Sequence, residues 1–324
     1  MIEFLSEYGL FLAKIATVVV GILVVIAFAM ASTKRSGQQD GLEVQNLNRR
    51  FEKLGDAIRS SVQGKSTFKK ESKERRKADK KHDKEGSKRS RIFVLDFKGD
   101  VRASATASLR EEVSAILGVA TAEDRVLLRL ENAGGTVHEH GLAASQLLRL
   151  KNHGVSLIVA VDKVAASGGY LMACVADRIL AAPFAIVGSI GVIAQLPNFN
   201  RLLEEKGVDF EQVTAGRYKR TLTIFGKNTE EGREKLKQEI EDVHDLFKSQ
   251  IAEHRPQIEL DKVATGEHWY GLRALSLKLV DELKTSDDFL VEAADDYDLY
   301  SIVYKRRRSF PERLMGGVDS LLSR

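Results

Sequence analysis

Hydrophobic and polar positions alternate differently in successive stretches of the chain, and each stretch predicts its own kind of element. Residues 9–31, "GLFLAKIATVVVGILVVIAFAMA", are apolar apart from Lys14 and Thr17. As a helix, such a run spans roughly 34 Å against about 30 Å of bilayer hydrocarbon, so residues 1–31 are expected to hold a transmembrane anchor. A cleavable signal peptide is the alternative, suggested by Ala29 and Ala31, but Glu3 and Glu7 give its flank the wrong sign. Over 41–62 the apolar positions Leu47, Phe51, Leu54 and Ile58 recur with a helical period, predicting an amphipathic or partner-packing helix. Residues 64–91 then hold almost no large apolar side chain and many Lys and Arg, the pattern of a solvated helix or disordered tether. Residues 32–90 together thus form an amphipathic helix and a basic linker.

From residue 91 to about 300 the pattern becomes that of an α/β domain. "RIFVLDF" (91–97), "RVLLRLE" (125–131), "VSLIVAV" (155–161) and "RILAAP" (178–183) read as buried strands. Between them, 108–117, 138–150 and 168–176 read as helices. Strands that are apolar throughout, alternating with helices, predict a parallel sheet with helices on both faces. Further on come a helix at 199–207, a strand at 208–214 and a long helix through 229–254. The apolar run 179–196 resembles a second span by hydropathy, but Pro183, Gly188 and Gly191 interrupt it, and a buried strand and turn are expected instead. In 301–324, Phe310, Leu314, Val318 and Leu321 share a helical stripe beside a basic cluster, suiting a membrane surface, subunit packing or a frayed end.

Charge and cysteine content narrow the picture modestly. The formal net charge of +4 is unevenly spread, with the positive excess in the linker. That linker suits a solvated tether or a contact with anionic lipid; with only Phe68 among its bases, nucleic acid is not expected as a partner. The single cysteine, Cys174, excludes an intrachain disulfide and sits where a buried structural thiol is expected. His138 and His140 in "VHEH" are separated by a helical period, so no metal site is expected.

Chemistry concentrates at two strand-to-helix junctions. One is "LENAGGTV" (130–137), a two-glycine turn; the other is "KVAASGGYLMACVADRI" (163–179), where Ser167 stands between alanines and glycines. Ser167 reads either as a helix cap or as a nucleophile. In the second reading the amides of Gly168 and of the Gly134–Gly135 turn converge on one point as an oxyanion hole. No histidine offers itself as the base; a lysine serves if desolvation lowers its pKa from about 10.4 to about 7–8.

The segments "ENAGGTV", "AASGGYLMACVADRILAAP", "VGSIGVI", "TAGRYKRTLTIFG" and "TGEHWYGLRALSLKLVDEL" together resemble the signal peptide peptidase A family of membrane-bound serine peptidases, and especially its SohB branch. The resemblance runs nearly the full length, most strongly over 125–285. It implies a Clp-protease/crotonase-like fold with a parallel sheet, a serine peptidase domain over 91–300 and a Ser-Lys dyad without a cofactor. By the resemblance Ser167 is the nucleophile, Lys219 in "GRYK" is the base, and Ser189 in "GSIG" orients the lysine amine. Tyr218, Leu222 and Phe225 are placed to shield that lysine. One departure stands out: the first glycine turn reads Asn132-Ala133-Gly134-Gly135 where relatives carry Ser-Pro-Gly-Gly. The family implies a homo-oligomeric ring in which serine and lysine come from one subunit or two. It further implies a bacterial inner membrane, apolar peptide substrates such as released signal peptides, and a catalytic domain on the periplasmic side. Positive-inside counting disagrees on that side, since Lys34, Arg35, Arg49 and Arg50 all follow the span. A catalytically inert membrane scaffold on the same fold is the alternative function.

Overall fold

Runs of aliphatic residues without polar alternation build the central sheet. In the computed structural model, which describes residues 9–12, 14–23, 41–64, 73 and 89–306, the chain divides into two units. The larger is Glu43–Val303; the smaller comprises Met1–Leu42 and Tyr304–Arg324. The first strands and helices in order are β1 (Gly41–Asn46), α1 (Leu47–Val62), β2 (Arg91–Lys98), α2 (Thr106–Leu117), β3 (Arg125–Glu131), α3 (Val137–Asn152), β4 (Ser156–Val161) and β5 (Val164–Ala166). After these come α4 (Gly168–Ala173), β6 (Arg178–Ala181), β7 (Ile186–Gly188), α5 (Asn200–Glu205), α6 (Glu230–His254) and α7 (Leu260–Val263). The chain then runs through β8 (His268–Tyr270), α8 (Gly271–Ser276), β9 (Glu282–Leu283), α9 (Ser286–Ala293) and β10 (Asp298–Lys305).

The large sheet has the order β1-β10-β2-β3-β4-β6-β9, and β10-β2, β2-β3, β3-β4, β4-β6 and β6-β9 all pair in parallel. Its side chains separate by face as a strand period of two requires. Phe93, Leu95, Leu128 and Val159 join Leu109 and Val113 of α2 and Leu147 of α3 in one core. Ile92, Val94, Leu127 and Ile158 join Leu47 of α1 and Phe289 and Leu290 of α9 in the other. Burial on both faces is what favours parallel pairing of such strands. A second, three-stranded sheet runs β5-β7-β8, with β5-β7 parallel and β7-β8 antiparallel.

Several elements depart from the sequence reading. The stretch 41–62 begins as a strand; the helix starts at Leu47 because Asn46 caps it, its Oδ1 accepting the Arg49 N–H at 2.9 Å. This helix, expected to be amphipathic or partner-packing, belongs to the larger unit: Asn48 Nδ2 donates to Ala294 O and Tyr297 O, and Asn48 Oδ1 accepts from Leu299 N. Residues 208–214 form no strand, and Val208, Phe210 and Val213 are all exposed. Alternation alone made no strand there, since a strand needs a neighbouring edge to satisfy its backbone. The run 179–196 holds β6, β7 and turns, as expected.

Among the described residues no helix is long and apolar enough to cross a membrane. Residues 9–12 and 14–23 are helical, and Leu10, Phe11, Val18 and Leu23 there are exposed. The rest of the expected anchor, most of the basic linker and the 307–324 tail lie outside the described residues.

Candidate active site

Two strand ends lie side by side at the heart of the site. Asn132 follows β3 and bridges in parallel to Ala165 of β5, with Asn132 N donating to Val164 O and Ala166 N donating to Asn132 O. This pairing sets the 132–135 turn against Ser167. The fit is close: a Cβ on Gly134 would come within 2.7 Å of Ser167 Cβ, so only glycine fits there, and at φ 94° only glycine adopts the backbone easily.

Ser167 itself has φ 51° and ψ −119°, a region that L-residues rarely enter. Its N–H donates to Gly188 O at 2.8 Å and its carbonyl accepts from Leu171 N at 3.0 Å, which holds the strained backbone in place. The side chain does not cap α4. Among the described residues the hydroxyl is thus uncommitted at the mouth of the helix, and Ser167 is not the side-chain cap that was one of its two readings.

The three glycines differ in what their amides do. Gly134 N–H donates to Asn132 Oδ1 at 2.7 Å. Among the described residues, the Gly135 and Gly168 amides donate to no protein acceptor. Ser167, Gly135 and Gly168 border a cleft of about 270 Å³. Its walls are Leu171 of α4, Val192 and Ile193 after β7, and Leu246 and Phe247 of α6. An apolar groove beside a free hydroxyl and free amides has the parts that a covalent acyl transfer with oxyanion stabilisation needs, apart from a base.

Lys219 is not among the residues lining this cleft. It sits exposed in a turn, its N–H donating to Gly216 O at 3.1 Å. The aromatic residues expected to shield it are engaged elsewhere. Tyr218 lies between Arg217 and Lys235, 5.2 and 5.3 Å from its ring, and Phe225 packs on Phe199 and Phe210. Ser189 repeats the positive φ of Ser167 at 51°; its N–H donates to Glu267 O, and its Oγ lies 3.4 Å from Gly266 O. The structure therefore brings Ser167, Gly134, Gly135 and Gly168 together, and leaves Lys219 outside the cleft of the single chain.

Two titratable side chains that follow Ser167 in the chain are deeply buried. Cys174 is fully buried, and burial pushes its thiol up to about 12. Tyr170 is fully buried too, its phenol pushed up by desolvation and its hydroxyl donating to Leu279 O at 2.9 Å. Among the described residues no group of three or more His, Cys, Asp or Glu is placed to hold a metal; His138 is exposed and His140 buried. Sequence reasoning did not anticipate α6 as a wall of the cleft, nor Asn132 and His140 as a buried pair behind it. The polar residues in "ENAGG" and "VHEHG" were the available signal.

Comparison with known proteins bears on all of this. The profile of the peptidase family S49 N-terminal region matches residues 3–147, and that of peptidase family S49 matches residues 149–300. A Haemophilus influenzae protein described as "Probable protease SohB" is 46% identical over 95% of this chain and 91% of its own length. A namesake from Buchnera aphidicola subsp. Acyrthosiphon pisum is 56% identical over 72% of this chain and 70% of its own. Among solved structures, a serine-to-alanine mutant of the 1510-N membrane-bound stomatin-specific protease aligns over 63% of this chain and 85% of its own, with 12% identity and a TM-score of 0.43.

Proposed function

The chain belongs to peptidase family S49, and from that premise we propose that this serine peptidase is a membrane-anchored endopeptidase that cleaves apolar peptides with a Ser167–Lys219 dyad. The observation that carries the assignment is the uncommitted hydroxyl of Ser167, held on strained backbone beside the free amides of Gly135 and Gly168. In the reaction, Ser167 Oγ attacks the scissile carbonyl carbon as its proton passes to the uncharged lysine amine. The carbonyl oxygen becomes anionic between the Gly135 and Gly168 N–H groups, with Gly134 forming the turn that presents them. Collapse of the intermediate expels the amine product, which takes the proton from lysine, and water then releases the acyl group by the same steps in reverse order.

Lys219 must be dry to act as a base, and in the single chain it is exposed. We assign its desolvation to a homo-oligomeric ring, in which the exposed 208–225 segment packs on a neighbouring copy and Lys219 reaches a serine. Ser189, whose hydroxyl among the described residues makes one long hydrogen bond, to Gly266 O, then accepts from or donates to the lysine amine. The parallel sheet, with the small β5-β7-β8 sheet branching at the Asn132–Ala165 bridge, supports a Clp-protease/crotonase-like reading of the fold. The exposed apolar helix within 9–23 supports anchoring in a bilayer, and the bacterial relatives support the inner membrane. Residues 1–31 then serve as anchor and 91–300 as the bulk of the catalytic domain, which α1 and the whole of β10 extend beyond the bounds read from sequence, so that the tail begins after Lys305 rather than at 301. The domain faces the periplasm, where released signal peptides and membrane-protein fragments fit the apolar cleft.

A fluorophosphonate probe on the full chain in detergent tests the dyad. Labelling of the wild type that is lost in Ser167→Ala and Lys219→Ala is expected. An assembled wild type that resists the probe would instead favour an inert scaffold.

A further inference from the structure

Behind the free amides lies a buried polar chain that the dyad does not use. His140, in the first turn of α3, is fully buried. Its Nε2 lies 3.2 Å from Asn132 Oδ1 and its Nδ1 2.9 Å from Thr136 O. Asn132 Oδ1 also accepts the Gly134 N–H at 2.7 Å. That bond settles which way the amide faces, because the reversed orientation would set an NH₂ group against an N–H. Asn132 Nδ2 correspondingly faces Met172 Sδ, a weak acceptor, at 3.7 Å. Neither Asn132 Oδ1 nor Thr136 O has a proton to give, so each contact calls for an N–H of the ring; a neutral imidazole carries one, and in the Nε2–H tautomer it ties the ring to Asn132.

The same ring meets the other side of the site by packing. A Cβ on Gly168 would run into the His140 ring, and a Cβ on Gly169 into Asn132 O. One imidazole is therefore bonded through Asn132 to the turn that carries the Gly135 amide, and pressed against the residue that carries the Gly168 amide. A turn of two glycines has much backbone freedom to lose, and donors stabilise an oxyanion fully only when held in place beforehand. Ala133, exposed, adds no restraint of its own. We infer that His140, acting through Asn132, is a positioning residue that fixes the two amides of the oxyanion hole relative to Ser167. The inference rests on Ser167 being the nucleophile.

The test uses the full chain, a fluorophosphonate probe and a fluorogenic apolar peptide. His140→Phe keeps a ring against Gly168 and removes the donor; Asn132→Ala removes the acceptor. Each lowers kcat and the rate of Ser167 phosphonylation about 10- to 100-fold, the scale of a small misplacement at a reacting centre, with KM nearly unchanged. The double variant falls no further than the worse single, since both cut one chain. His140→Gln, which restores a donor, recovers part of the rate, and Asn132→Ser supplies a milder second cut if the alanine variant does not fold. Wild-type rates in the folded variants, or losses that multiply in the double variant and appear in KM, overturn the positioning role while leaving the nucleophile in place. A wild type that is not labelled at Ser167 overturns the nucleophile itself.

Discussion

Ser167 holds its hydroxyl on a backbone that costs roughly 1–3 kcal/mol to maintain. Relief of that strain is measurable. Ser167→Gly abolishes peptidase activity and raises unfolding stability by about 1 kcal/mol in a denaturant titration, the gain in backbone fit exceeding the entropy glycine loses on folding. A second residue-scale effect lies at the far end of the sheet. Burial pushes the Asp124 carboxyl up, but hydrogen bonds from the Arg91 side chain and from the Thr121 and Arg91 backbone amides outweigh it and hold the group at about 2. Its native value lies below the unfolded value of about 3.9, so its contribution, roughly 2 kcal/mol, is complete above about pH 4 and is lost as pH falls through about 2. Asp124→Asn should therefore lower stability at neutral pH by about that amount and flatten the acid limb of the pH–stability curve. An unchanged acid limb would show that the pair contributes nothing.

At the scale of elements, α6 does two jobs with one amphipathic surface. Phe247 and Ile251 join the core, and Leu246 stays 64% exposed at the rim of the cleft. Its start is set by Thr229, whose Oγ1 accepts the Gly232 N–H at 3.1 Å. Because Leu246 faces the cleft and not the core, Leu246→Glu should raise KM for apolar peptides about ten-fold, the loss of one apolar contact, without lowering the melting temperature. An unaltered KM would remove α6 from the binding wall. The helix and its length were readable from sequence, and so were β2, β3, β4 and β6 of the central sheet, because their hydrophobic patterns are local, whereas β1, β5, β8, β9 and β10 were not read as strands. The place of α6 beside Ser167 was not readable, since the helix lies far along the chain from the serine. The 208–214 stretch shows the converse: an alternating pattern was present, but among the described residues it pairs with no strand.

At the scale of the whole molecule, the proposed ring raises the question of which copy supplies each half of the proposed dyad. Lys219 is exposed and outside the cleft of its own chain, so mixing Ser167→Ala with Lys219→Ala during assembly should restore part of the peptidase activity that each lacks alone. Mixtures as inactive as their components would place both groups in one subunit and remove the case for exchange between copies. The α/β class, the glycine junctions and Ser167 as a candidate nucleophile were all legible from residues adjacent in the chain, because strand burial and turn chemistry are set by near neighbours. Folding was needed to show that the Gly134 amide donates to Asn132 while, among the described residues, those of Gly135 and Gly168 have no protein acceptor, and that the His140 ring lies against Gly168. Those outcomes depend on which groups meet across β3, β5 and α3, and a hydrogen bond or a steric wall exists only once distant segments have been packed together.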